Sequence, residues 1–112
     1  EVGLKDEAKA EEAYKKALEL DPENPANIFS VGRLYFNQGV GLLDKANSLN
    51  DQNQYKAEKA KAEAMLRKAL PFFEKAHKLK PEEREYMIGL RGIYYNLSMN
   101  KEFDAINAEM SK

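Results

Sequence analysis

Apolar residues recur along this chain at the three- and four-residue spacing of a helix. The first clear example consists of Ala10, Ala13, Tyr14, Ala17 and Leu18. Such spacing puts the side chains on one helix face, which a protein core can bury. No segment alternates apolar and polar residues for long, and the residues that favour helices dominate the sequence. The pattern predicts an all-α protein of about five helices.

Proline-containing turns predict the boundaries of the first two helices. The first is predicted over residues 4–20, and Asp21-Pro22 ends it because proline disfavours a helical conformation at the residue before it. Asn24-Pro25 begins the second, with asparagine as the N-cap and proline at the first helical position. Gly39 and Gly41 interrupt the apolar face of this second helix. They indicate a bend, a close helix crossing or the helix end, and the sequence leaves these three alternatives open.

The third helix is predicted over residues 52–79. Asp51 and Gln54 have the spacing of a capping box, which stabilises a helix N-terminus. Pro71 lies inside the predicted helix, where it removes one backbone hydrogen bond. We interpret it as a kink because the apolar face continues through Phe73 and Ala76. The alternative is a break in the helix just before the proline.

Two shorter helices complete the predicted fold. The fourth covers residues 81–97, since Pro81, Glu82 and Glu83 suit the first turn of a helix. A turn at 98–100 separates it from the last helix, predicted over 101–110. No Gly- or Pro-rich linker divides the chain, so one domain of stacked helical hairpins is expected.

Composition and charge narrow the function classes. The sequence has 18 basic and 19 acidic residues, with a net charge of -1, which argues against a nucleic-acid-binding protein and a polybasic membrane-surface helix. It has no cysteine, which excludes disulfides and thiolate metal sites. No apolar run approaches the ~20 residues of a membrane-spanning helix, so no membrane insertion is expected. Glu1 is an unusual first residue, and we expect a mature or trimmed piece of a longer chain whose compartment, cytoplasmic or exported, stays undetermined.

The sequence contains an internal repeat. One copy ends with Ala10, Tyr14, Ala17, Leu20 and Pro22, and a second ends with Ala69, Phe73, Ala76, Leu79 and Pro81. The segments that follow each proline also correspond. They open with Ile28, Val31, Gly32 and Tyr35 in one copy, and with Met87, Leu90, Arg91 and Tyr94 in the other. Arg91 departs from the pattern, since a small residue is expected at its position.

These endings and openings resemble the tetratricopeptide repeat, a unit of two antiparallel helices. The resemblance implies a right-handed superhelix of stacked hairpins in a single domain, 1–112. In it, residues 1–22 form the second helix of a truncated repeat, 24–80 a complete repeat with an insertion, and 81–112 a third repeat. Tyr35 and Ala69 are 34 positions apart instead of nine, so about 25 residues are extra. A long, protruding middle hairpin with its tip near 49–53 is expected, as in a group of bacterial tetratricopeptide proteins.

Sites of chemistry are weakly indicated. His77 is the single histidine and follows a core-facing alanine, which is typical of a boundary residue rather than a catalytic or metal-binding one. Glu82, Glu83 and Glu85 are explained by the dipole at a helix start. Segment 39–41 lacks the remainder of a phosphate-binding loop, and 50–53 lacks the acids and glycine of a calcium loop. We therefore predict no catalytic residue, no metal site and no cofactor.

The resemblance implies a groove lined by the first helix of each repeat. It assigns Ala26, Phe29, Arg33, Phe36 and Asn37 to the inner face of the second helix, and Glu85, Ile88, Gly92, Tyr95 and Asn96 to the fourth. The candidate partner-binding residues are Phe29, Arg33, Phe36, Asn37, Ile88, Tyr95 and Asn96. Aromatic rings give rigid contact area, and amides bond an extended peptide backbone. The alternative is that these aromatics pack against neighbouring helices.

One specialised ligand is not expected. Tetratricopeptide domains that bind chaperones hold a C-terminal carboxylate with Lys, Arg and Asn on these inner faces. The corresponding positions here hold Ala26, Phe29, Ser30, Arg33, Glu85, Ile88, Gly89 and Gly92. Because Arg33 is the single basic residue among them, we predict no carboxylate clamp.

Three functional hypotheses follow. The leading one is a non-catalytic scaffold that binds a protein or peptide partner through the groove, with the protruding hairpin as a second contact surface. The alternative is self-association as a homodimer, or a structural part of a larger repeat protein. The third, from a different class, is a hydrolase or enzyme accessory that uses His77 with Glu82 or Glu85.

Overall fold

The computed structural model describes the backbone of residues 2–112 and the side chains of residues 9–112. Within this range the chain forms five α-helices and no strand, which confirms the all-α prediction. They are α1 (Val2–Leu20), α2 (Pro25–Asn47), α3 (Gln52–Leu79), α4 (Arg84–Asn96) and α5 (Asn100–Met110). Each helix packs against the next one along the chain, and α2 also contacts α4.

The two long helices, α2 and α3, form an antiparallel hairpin. Successive contacts join Gly32 with Phe73, Gly39 with Leu66, and Lys45 with Glu58. The residue numbers rise along α2 and fall along α3, so the two helices run in opposite directions. With 23 and 28 residues, α2 and α3 are each about twice as long as α4 and α5, which have 13 and 11.

Side-chain caps fix the starts of the long helices. The Asn24 side-chain oxygen accepts a hydrogen bond from the backbone N–H of Asn27 at 3.1 Å. The Asp51 carboxylate accepts bonds from the backbone N–H groups of Asn53 and Gln54, at 2.8 and 3.1 Å. Both residues are extended, as N-caps require. The predicted starts of α2 and α3 are thus confirmed.

The start predicted for α4 was wrong. The helix begins at Arg84 instead of Pro81, because the backbone N–H of Glu83 donates to the carbonyl of Lys80 at 3.1 Å and closes a turn around the proline. Glu83 becomes the N-cap residue, with extended backbone angles. Glu82 and Glu83 therefore precede the helix, and Glu85 is the acid in its first turn.

Neither the glycines nor the proline ends a helix. The helix α2 continues through Gly39 and Gly41, and α3 continues through Pro71, so the alternative of a break before Pro71 was wrong. A Cβ on Gly39 would lie 2.9 Å from Leu66, which makes Gly39 a point of close helix crossing. At Gly41 such an atom would meet nothing within 4 Å.

The internal repeat is present in three dimensions with a constant offset of 59 positions, as from Ala10 to Ala69. The turn after α1 contains bonds from the Asp21 N–H to the Ala17 carbonyl and from the Asn24 N–H to the Asp21 carbonyl. The same two bonds follow α3, from Lys80 to Ala76 and from Glu83 to Lys80. Corresponding core residues are buried in both copies: Ile28 and Met87, Val31 and Leu90, Tyr35 and Tyr94. The unit α1–turn–α2 is therefore repeated as α3–turn–α4.

Phe73 lies at the centre of the core, where α2, α3 and α4 meet. Its ring is 1% exposed and stacks on Phe29 with a centroid distance of 4.7 Å. The backbones of Gly32 on α2 and Gly89 on α4 both approach this ring so closely that a Cβ would lie under 3 Å from it. The packing of three helices thus depends on one aromatic ring and two positions without side chains.

Candidate protein-binding groove

An open, mostly apolar groove of about 480 Å³ runs along α4. We call it the α4 groove. Its lining residues come from α2, α4 and α5, and they are Phe36, Ile88, Gly89, Arg91, Gly92, Tyr95 and Phe103. Its volume is within the range of sites that bind small molecules or a few side chains of a partner.

The helical spacing of α4 creates the apolar part of this groove. Ile88 and Tyr95 are two turns apart on the same face and are 46% and 71% exposed. Gly92 lies between them and has no side chain, so the ring of Phe36 approaches the helix backbone there. A Cβ on Gly92 would lie 3.3 Å from the Phe36 ring. The result is a depression between two exposed apolar side chains.

Charged groups border the groove unevenly. Arg91 lines it and is half-buried, yet its guanidinium forms no ion pair or hydrogen bond with any side chain in 9–112. Arg33 and Glu85, at the corresponding inner-face positions, are joined at 4.0 Å. Both are more than half exposed, so this pair stabilises the fold by less than about 1 kcal/mol. A positive charge is therefore available at the edge of an apolar surface.

The structure brings together some of the residues assigned to the groove from the sequence. Phe36, Ile88 and Tyr95 line it. The Phe29 ring instead lies in the core, 7% exposed, because α4 covers it with Tyr86 at a centroid distance of 4.7 Å. Phe29 therefore packs against a neighbouring helix, as the alternative prediction for these aromatic residues had it.

The polar candidates lie at the margin. Arg33 and Asn37 are exposed but do not line the groove. The Asn96 side chain donates a hydrogen bond to the carbonyl of Gly92 at 2.8 Å, so one of its amide hydrogens is bound to its own helix.

Three lining residues were not assigned to the groove from the sequence: Gly89, Arg91 and Phe103. The sequence did mark Arg91 as unusual, since it occupies a position where the repeat has a small residue. Its counterpart Gly32 lies against the Phe73 ring of α3, whereas Arg91 lines the groove together with Phe103. The Phe103 ring packs on Tyr95 at 5.9 Å, a contact between helices that no spacing within α5 predicts.

His77 pairs with a carboxylate other than those of the hydrolase hypothesis. Its Nε2 atom lies 2.9 Å from the Glu109 carboxylate, so the pair connects α3 to α5. The His77 side chain is 17% exposed, so it is largely covered. Among the residues whose side chains are described, no group of three or more acidic or histidine side chains could hold a metal ion.

Tyr94, in the contact between α3, α4 and α5, has a shifted titration. Burial of its phenol, together with the nearby carboxylates of Glu74, Glu102 and Glu109, raises the pKa of Tyr94 from its ordinary value near 10 to about 12. Both causes disfavour the phenolate, the first through desolvation and the second through charge repulsion. The hydroxyl is thus held neutral in the folded protein.

This shift predicts a loss of stability at high pH. Between about pH 10 and pH 12 the unfolded chain releases the Tyr94 proton while the folded protein retains it, so the free energy of unfolding falls as pH rises. Tyr94→Phe should make this fall shallower, as measured by denaturant unfolding at several pH values. Tyr95→Phe, which alters an exposed ring, is the matched control and should follow the wild-type curve. Identical curves for wild type and Tyr94→Phe would contradict the prediction.

Comparisons with known proteins give no assignment. No protein-family model, no curated protein sequence and no solved structure matches this chain. Separately, none of the helices within the described residues is sufficiently long and apolar to cross a membrane.

Proposed function

We propose that this protein is a non-catalytic protein-interaction scaffold of the tetratricopeptide kind, which binds a partner protein through the α4 groove. The observation that carries the proposal is the pair of exposed apolar side chains, Ile88 and Tyr95, on either side of a glycine floor. Contiguous exposed apolar patches often mark contact sites for other proteins, whereas single apolar residues scattered over a surface are ordinary.

The composition of the groove suits a protein partner. Tyrosine and arginine are enriched among residues that dominate binding energy, because each combines a large contact area with polar groups that can be satisfied. Tyr95 and Arg91 are adjacent in the α4 groove. A partner that fits would place apolar side chains against Ile88 and Tyr95, and a carboxylate near the Arg91 guanidinium.

The repeated helical hairpin supports the same proposal. The unit α1–turn–α2 recurs as α3–turn–α4, and stacked helical repeats commonly form extended binding surfaces. His77 has a structural explanation in its pairing with Glu109, so the hydrolase hypothesis gains no support from the position of this residue.

Replacing the exposed apolar side chains of the groove with charged ones should weaken partner binding. The double variant Ile88→Glu/Tyr95→Glu places two carboxylates in the apolar surface, and we expect at least a tenfold loss of affinity, about 1.4 kcal/mol. The matched control is Leu20→Glu/Leu79→Glu, which adds the same charge at exposed leucines outside the groove. Quantitative affinity capture from the source cells, followed by titration calorimetry with each captured protein, measures the effect.

Two results would count against the proposal. One is that every captured protein binds the groove variant as strongly as wild type. The other is that the control variant loses the same proteins, which would indicate a general effect of charge. Light scattering over a concentration range, run on the same variants, tests the alternative of self-association: a dimer that the groove variant converts to monomer would identify a second copy of this chain as the partner.

A further inference from the structure

The contact between α2 and α4 shows what kind of element fits a surface like the α4 groove. On α2, Phe29 and Phe36 are seven positions apart, and α4 contacts both rings, burying Phe29 and leaving Phe36 half-buried. Tyr86 lies against Phe29 with a centroid distance of 4.7 Å. The backbone approaches Phe29 at Gly89 and Phe36 at Gly92, where a Cβ would lie 3.0 and 3.3 Å from the respective rings. One aromatic residue and two glycines, at intervals of three, therefore contact a pair of side chains two turns apart.

The α4 groove repeats the covered surface one unit later. An offset of 59 positions relates Phe29 to Ile88 and Phe36 to Tyr95, the same offset that relates the turns and core residues of the two copies. Phe29 is 7% exposed, whereas Ile88 and Tyr95 are 46% and 71% exposed. The difference arises because α4 lies against α2, while no helix among the described residues lies in the equivalent position against α4. The groove is thus the continuation of an interface already formed inside the protein.

The polar groups of the groove favour a helix over an extended peptide as its occupant. An extended segment leaves its backbone N–H and C=O groups to be bonded by the receptor. The lining side chains are apolar except for Arg91 and the Tyr95 hydroxyl, and the neighbouring Asn96 amide is bonded to the Gly92 carbonyl. A helix satisfies its own backbone and needs from the groove only apolar contact and one charge pair.

We infer that the α4 groove binds an amphipathic helix of a partner protein, laid against α4 as α4 is laid against α2. The inference rests on the proposed function and specifies its partner. The bound helix presents an aromatic residue, a small residue three positions later and another small residue three positions after that. The small residues let the two helix backbones approach closely, as at Gly89 and Gly92. An acidic side chain on the same helix pairs with Arg91.

A designed peptide tests this geometry. The probe is a helix of about 20 residues built from Ala, Glu and Lys, with side-chain lactam links to hold it helical, since short peptides are marginally helical in water. It carries tyrosine at one position and glycine three and six positions later. Its matched control has leucine at both glycine positions. A third peptide has the residues of the probe in scrambled order and two alanines replaced by proline, which prevents a helix.

Binding is measured by two-dimensional NMR titration of the ¹⁵N-labelled protein. We expect the glycine peptide to shift the amide signals of Gly92 and Tyr95 and to bind at least tenfold more tightly than the leucine peptide, because leucine would overpack the contact. The protein variant Ile88→Glu/Tyr95→Glu should lose this binding, and Leu20→Glu/Leu79→Glu should keep it.

Three outcomes overturn the inference: no saturable shift with the glycine peptide up to about 1 mM, equal binding of the leucine peptide, or tighter binding of the proline peptide. Each is distinguishable from failure of the proposed function. If captured proteins still require Ile88 and Tyr95 while the helical probe does not bind, the groove binds a partner of another shape.

Discussion

Phe73→Ala should lower the free energy of unfolding by about 3–5 kcal/mol. The Phe73 ring is buried where three helices meet, stacks on Phe29 and lies at a centroid distance of 6.0 Å from Phe36, so its removal leaves a cavity in the core. Domains of this size are stable by about 5–15 kcal/mol, so the variant would lose a large part of its stability. Denaturant unfolding followed by far-ultraviolet circular dichroism measures the change.

The neighbouring phenylalanine supplies the control. Phe72 is half-buried and packs on Tyr35 with a centroid distance of 5.7 Å, at the edge of the core. Phe72→Ala removes the same atoms one residue away in the same helix, and we expect a clearly smaller loss because solvent can enter the space. Equal losses for the two variants would show that Phe73 is not the centre of the core.

Gly32→Ala should destabilise the protein by about 1–3 kcal/mol, although alanine is the better helix former. The added Cβ would lie 2.6 Å from the Phe73 ring and 2.9 Å from the Cβ of Phe72, so α2 and α3 would have to move apart. The movement would also disturb the stack of Phe73 on Phe29. The same unfolding experiment measures the change.

Gly41→Ala is the matched control on the same helix. No atom of a neighbouring helix would lie within 4 Å of its new Cβ, so the variant gains helix propensity at no steric cost, roughly 1 kcal/mol of stability. The two substitutions are chemically identical and are expected to have opposite signs. Destabilisation by both would mean that α2 does not tolerate alanine for a reason other than contact with α3.

These glycines illustrate what periodicity could and could not predict. The sequence placed both Gly39 and Gly41 inside an apolar helical pattern and left their roles open. Contact with Leu66 at Gly39, and open space at Gly41, follow from the crossing of α3 over α2. A helix pattern predicts which face a residue occupies, but the distance to the neighbouring helix depends on side chains far away in the sequence.

The candidate groove was predictable in part for the same reason. The register of the repeat placed Phe36, Ile88 and Tyr95 on one set of helix faces, and the structure brings these three residues together. The same register grouped Phe29 with them, yet α4 covers this ring. Equivalent positions in two copies of a repeat differ in exposure when one copy has a neighbour and the other has none among the described residues.

The sequence by itself determined the class of the fold and the starts of α2 and α3, because these depend on local chemistry. Asn24 and Asp51 cap helices through hydrogen bonds to backbone groups two or three residues away. Such bonds depend only on residues that are close in the sequence. The exception was the start of α4, where Pro81 suits a turn as well as a first helical turn, and the bond from Glu83 to Lys80 selects the turn.

Only the tertiary structure decided which apolar side chains form the core and which remain exposed. Phe29 and Ile88 have the same position in the repeat, but one is covered by α4 and the other is open. Arg91 and Phe103 join the α4 groove because α5 packs beside α4, which no local pattern encodes. The exposure of a side chain depends on which helices pack against it, so it is determined only when the helices assemble.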